Sequence, residues 1–193
     1  MLGFFEIFIG AVIVQNVVLA GFLGICPLLG VSKKRSSAFG MGMAVMFVMM
    51  MTAIITFVIY HTVLVYFELS FMRTVVFIMI MATMVQFVEM VVKKFFTPLY
   101  KSLGVYLPLI TTNCAAIGTV LLNIDRGFTF GEAMVNTFGV SVGFLLIIFV
   151  FSTIRERLEL SDNIPKGFKG VPIALIVTGI MAITFMGFIG IGG

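Results

Sequence analysis

The chain has 193 residues, 61% of them hydrophobic and only 10% charged, with a net charge of +4. That balance excludes a water-soluble globular domain and a nucleic-acid-binding surface. It fits an integral membrane protein whose few basic residues set topology and meet lipid headgroups.

A bilayer core asks for roughly 20 apolar residues per helix, with charges collected in the gaps. Six runs meet that pattern, near Leu2 to Leu29, Ala38 to Val65, Val75 to Val92, Leu103 to Asn123, Ala133 to Ile154 and Val171 to Gly190. They predict an all-α membrane protein of six transmembrane helices. No basic residue precedes the first run, which carries Glu6 instead, so no secretory signal is expected. Gln15 and Asn16 lie mid-run, and Gly21, Gly24, Pro27 and Gly30 crowd its end. Glycine and proline at that density predict a break in the helix. Proline favours the first helical position, so Pro27 would make Cys26 the N-cap of a short half-helix. The second run opens near Phe39-Gly40, carries the small residues Gly40, Gly42 and Ala44, and has His61 near its end, read as an interfacial side chain with no metal-site spacing. In the third, Thr83 and Gln86 read as interhelical hydrogen-bonding groups. Glu89 lies four residues before Lys93 and suits an interfacial ion pair.

The fourth run is punctuated by Gly104 and Pro108 before Thr111, Thr112, Asn113 and Cys114. Asparagine is a good N-cap, so Asn113 would place Cys114 in the first turn of a second half-helix. The fifth opens at Phe130-Gly131 beside Glu132 and carries Asn136, a further interhelical hydrogen-bonding group, and Gly139, Ser141 and Gly143. These small residues, like those of the second run, are candidate contacts with neighbouring subunits. The longest polar connection, Arg155 to Lys169, leads to the sixth run, and nothing here is long and polar enough to fold as a soluble domain. Ten of the 12 basic residues fall in the first, third and fifth connections, leaving Arg73 and Arg126 in the even ones. By the positive-inside rule both termini lie outside.

The two cysteines, Cys26 and Cys114, open similar phrases 88 residues apart. With three helices in each half, the second half enters the membrane inverted, giving one membrane domain over 1–193 built from repeats 1–95 and 96–193 with broken first and fourth helices. Each sulfur would face a helix N-terminus, where free N–H groups and the dipole favour a thiolate. Two soft ligands so placed suggest half of a metal site. A cluster that needs four thiolates would then bridge two chains. Inert packing of the cysteines or a disulfide remains the structural alternative.

The stretches Asn16 to Leu19, Phe22 to Lys34, Leu107 to Ala115, Arg155 to Leu158 and Phe185 to Phe188 resemble the A subunits of Rnf ion-translocating electron-transport complexes. The resemblance covers nearly the whole chain. It extends to the E subunit of the Na+-translocating NADH:quinone reductase, although the Thr-Thr-Asn-Cys phrase and the Cys-Pro pair are closer to Rnf. The resemblance implies a component of a bacterial or archaeal cytoplasmic membrane that pairs with the homologous, oppositely oriented E subunit of Rnf and assembles with its B, C, D and G subunits. It further implies a 2Fe-2S cluster between the A and E subunits, with Cys26 and Cys114 as this chain's two ligands. The complex would pass electrons between ferredoxin and NAD+ and couple them to Na+ or H+ movement. A cluster reduced in a low dielectric gains an expensive negative charge, which would draw a cation toward the interface while the half-helices shift. The residues leave two other classes open: a six-helix secondary carrier with structural cysteines, and a purely architectural membrane component. No phosphate loop, dinucleotide fingerprint or hydrolase triad is present, so nicotinamide, flavin and ferredoxin would bind on other subunits.

Overall fold

The computed structural model describes residues 3–14, 16–31, 35–64, 72–95, 113–160, 165 and 167–189. Among them every regular element is helical. The elements are α1 (Phe4–Ile9) with a π-helical continuation (Gly10–Val14), α2 (Ile25–Val31), α3 (Arg35–Ile59) with a π-helical end (Tyr60–Leu64), α4 (Arg73–Phe95), α5 (Cys114–Asp125), α6 (Phe130–Glu159) and α7 (Val171–Ile189). Gln15, Lys33, Lys34, Lys101, Gly104, Pro108, Thr111 and Thr112 lie outside the described residues, as does the predicted break before Cys114.

Two segments, Arg35–Thr62 and Phe130–Leu158, are long and apolar enough to cross a bilayer. At 1.5 Å per residue each spans about 40 Å, more than the ~30 Å hydrocarbon core. They form the central pair, with Met41, Val45, Phe144 and Ile148 buried in the main core. Gly42 lets them approach: a Cβ there would lie 3.1 Å from Leu145 Cγ. The N-terminal helix lies along α6 in the same way. A Cβ on Gly139 would come within 2.9 Å of Ala11 Cβ, and one on Gly143 within 2.8 Å of Asn16 Nδ2. Gly42, Gly139 and Gly143 therefore serve helix packing inside this chain, correcting the expectation that they face another subunit.

α7 is apolar all round, and Ile180, Ile183 and Met186 on it are exposed. A helix of that kind needs an apolar medium on its outer side. The methionines divide as expected: Met41, Met49 and Met81 fill the interior, while Met43, Met79 and Met90 face outward.

Local signals explain most boundaries. Glu132 Oε2 accepts from the Thr129 N–H (2.9 Å) and hydroxyl (2.7 Å), closing a box at the start of α6. Glu6 returns to the Gly3 N–H at 3.3 Å at the start of α1. α3 begins at Arg35, a turn before Phe39-Gly40, and α6 continues to Glu159. Arg155, Glu156 and Arg157 are thus helical rather than part of the predicted polar connection.

Candidate functional site: the junction of the two cysteine segments

The first run breaks where its glycines cluster. Asn16 ends the π-helical turn: its Nδ2 donates to Val12 O (3.0 Å), and its Oδ1 accepts from the Val18 N–H (3.1 Å). The buried amide therefore organises the break instead of bonding to another helix. Turns closed on Asn16 O and Val17 O carry the chain to Leu23. Phe22 takes a left-handed φ of 53° and Gly24 one of 84° before α2 starts at Ile25. Cys26 is accordingly the second residue of α2 and not its N-cap, and Pro27 is the third. Proline at either place lacks only an N–H that no intrahelical carbonyl would have accepted.

Cys114 lies where the sequence predicts, as the first residue of α5. The Asn113 side chain caps the helix, its Oδ1 accepting from the Ala115 N–H at 3.0 Å. Its Nδ2 is buried, with no hydrogen-bond partner among the described residues.

These two helix starts meet. The Gly24 N–H donates to Cys114 Sγ at 2.9 Å, across 90 residues of sequence. Gly24 is suited to this twice over. Its φ lies in the region where only glycine is unstrained, and an added Cβ would sit 2.9 Å from Phe144 Cε2 and 3.2 Å from Ala115 Cβ. Both cysteines are free thiols, Cys26 exposed and Cys114 half-buried. Neither is fully buried, and no disulfide joins them. An open groove of about 330 Å³ runs between the turn before α2 and α5, walled by Ala20, Gly21, Leu23, Gly118 and Leu122, with Arg126 among its lining.

Two cysteine sulfurs are soft ligands of the kind that suits iron and zinc. The Gly24 N–H is aimed at the Cys114 sulfur, and each cysteine lies in the first turn of its helix. Among the described residues no three His, Cys, Asp or Glu side chains gather. The described part of this chain brings the start of α2, which carries Cys26, against Cys114 at the start of α5.

The other sequence-predicted groups fall elsewhere. Asn136 does bond between helices: its Nδ2 donates to Asn123 Oδ1 at 2.6 Å, and Asn123 Nδ2 donates to Thr137 Oγ1 at 3.0 Å. Thr83 is exposed and bonds back to Met79 O on its own helix (2.9 Å), and Gln86 is exposed. His61 is exposed against the Phe57 ring, centroids 4.7 Å apart. The side chain of Glu89 lies outside the described residues. Sequence reasoning missed two groups, Gly24 as the donor to sulfur and Arg155. The latter is 4% exposed and its Nη1 donates to Leu29 O at 2.6 Å.

A helical bundle with spans of bilayer length and an apolar outer helix is a membrane protein. Its relatives specify the kind. The model of the Rnf-Nqr subunit family, described as membrane proteins, matches residues 4–192, and the chain belongs to that family. It is 51% identical to the A subunit of the ion-translocating oxidoreductase complex of Syntrophotalea carbinolica, over 96% of this chain and 95% of the relative. It is 51% identical to the A subunit of the Na(+)-translocating ferredoxin:NAD(+) oxidoreductase complex of Acetobacterium woodii, over 95% of each. With the A subunit of the ion-translocating oxidoreductase complex of Cronobacter sakazakii it shares 49% over 99% of this chain and 98% of the relative.

Proposed function

We propose that this chain is the A subunit of an Rnf-type ion-translocating ferredoxin:NAD+ oxidoreductase, a membrane component of an oxidoreductase complex without activity alone. Within it, Cys26 and Cys114 are this chain's two ligands to a 2Fe-2S cluster completed by two thiolates of the homologous E subunit. The observation that carries this reading is the Gly24 N–H to Cys114 Sγ bond, which unites the starts of the two cysteine helices at an open edge. When bound, the cluster supplies one-electron transfer. The residues of this chain would supply two sulfur ligands and an N–H hydrogen bond to one of them.

The finer architecture belongs to the same reading. Six spans form two inverted three-helix repeats, 1–95 and 96–193, in one membrane domain with broken first and fourth helices. Both termini lie outside a bacterial or archaeal cytoplasmic membrane. The B, C, D and G subunits complete the complex, and electron transfer drives Na+ or H+ movement as the half-helices shift. The break at 16–24, followed by the seven-residue α2, supports the first broken helix. The name borne by the Acetobacterium woodii relative favours ferredoxin and NAD+ over the quinone-reductase alternative.

The test is EPR of the purified, reduced complex. A 2Fe-2S signal in the wild type that disappears in assembled Cys26→Ser and Cys114→Ser complexes is the expected result. A signal unchanged in both variants overturns the ligand assignment.

A further inference from the structure

Among the described residues, Arg155 is the charged side chain that is nearly fully buried. A guanidinium in an apolar bundle is costly and persists only where its donors are satisfied, so a buried arginine asks what it holds. One partner is Leu29 O at 2.6 Å. Leu29 is the fifth of the seven residues of α2, in the last turn, whose carbonyls have no intrahelical donor. The arginine therefore caps the C-terminal end of the Cys26 half-helix and sets a positive charge at the negative end of its dipole. The next residue of α6, Glu156, accepts from Arg35 Nε, the first residue of α3, at 2.5 Å. Consecutive residues of α6 thus fasten the exit of α2 and the entry of α3. At the opposite end of α2, the preceding Gly24 N–H is fastened to Cys114 Sγ.

We infer that Arg155 is a positioning residue for Cys26. It acts through α2, holding this half-helix from its C-terminal end so that Cys26 stays registered against the start of α5. It also places a fixed positive charge about one short helix, roughly 10 Å, from the thiol pair. This inference rests on the reading of Cys26 and Cys114 as a cluster half-site. If that reading holds, removing the guanidinium leaves the ligands in place but loosens one of them and withdraws a charge that favours the more negative, reduced state.

The experiment is an EPR-monitored redox titration of the purified complex carrying Arg155→Gln or Arg155→Lys, beside the wild type and the two cysteine variants. Arg155→Gln is expected to keep the signal but shift the midpoint to lower potential, lowering the reduced-to-oxidised ratio at the wild-type midpoint at least threefold. Arg155→Lys, which keeps the charge and loses the planar fork, is expected to recover most of that potential while altering the line shape. A wild-type midpoint in Arg155→Gln overturns the inference. Should that variant fail to assemble, Arg155→Lys decides alone, and wild-type line shape there overturns it. The two readings fail separately. A signal surviving in Cys26→Ser and Cys114→Ser defeats the half-site, whereas its loss there with an unmoved Arg155→Gln defeats only the role of Arg155.

Discussion

Replacing Gly24 by alanine places a methyl group at the junction of the cysteine segments. Two costs act together. At φ 84° an L-residue pays about 1–2 kcal/mol for left-handed backbone. The new Cβ would also lie 2.9 Å from Phe144 Cε2. Phe144 is itself fully buried, so its ring cannot swing into solvent, and overpacking of this kind costs about 1–3 kcal/mol. Relief by moving the Gly24 backbone would draw its N–H away from Cys114 Sγ and forfeit about 1 kcal/mol more. The two costs total about 2–5 kcal/mol, a large fraction of ordinary stability. Gly127→Ala is the internal control, because Gly127 also has a left-handed φ, 63°, but open space where its Cβ would lie. It should lose only the backbone part, about 1–2 kcal/mol. Thermal inactivation of detergent-solubilised complexes, with yield of assembled complex as a second readout, compares the two. Equal losses for Gly24→Ala and Gly127→Ala would refute the packing half of this reasoning, and a neutral Gly24→Ala would refute all of it.

Two further changes probe the polar groups. Asn123→Ala removes an acceptor from Asn136 and leaves that buried amide short of a partner. A destabilisation of about 1–2 kcal/mol is expected in the same thermal assay, and Asn136→Leu added to it should recover part of the loss. Glu156→Gln weakens the pair with Arg35, whose side chains are 49% and 43% exposed on the two sides. Its effect should stay below about 1 kcal/mol and fade further in high salt, so a larger, salt-independent loss would mean that the pair is shielded in the complex.

How much of this could be read in the sequence differs from group to group for physical reasons. The break around Gly21 and Gly24 and the Asn113 cap rest on local rules of backbone conformation and capping and appear where those rules put them, whereas Pro27 lies inside α2 and the fourth apolar run falls partly outside the described residues. Cys26 lay two places off because a proline is equally tolerated a residue or two further into the first turn. Partners across the fold were not legible. Nothing within a few residues of Arg155 reveals that it reaches Leu29, since a charged residue after an apolar run reads as a loop. Gly139 and Gly143 likewise reveal close approach but not which surface approaches, and here it is the chain's own N-terminal helix. The meeting of Gly24 with Cys114 is of the same long-range kind. The similar phrases around the cysteines hinted at a relation between them without giving a contact.

A helix of seven residues is far below the length at which helices persist unaided in water, and the bonds that hold α2 at its two ends come from residues 90 and 126 positions later in the chain. While the first half of the protein is being synthesised, Cys26 therefore has neither its neighbouring thiol nor its C-terminal anchor. Cys114 arrives with α5 and the Arg155 anchor only with α6, so α2 can be held at both ends only after α6 has been made. The two ends of α2 are thus fixed by partners that arrive in turn, first Cys114 for Gly24 and then Arg155 for Leu29.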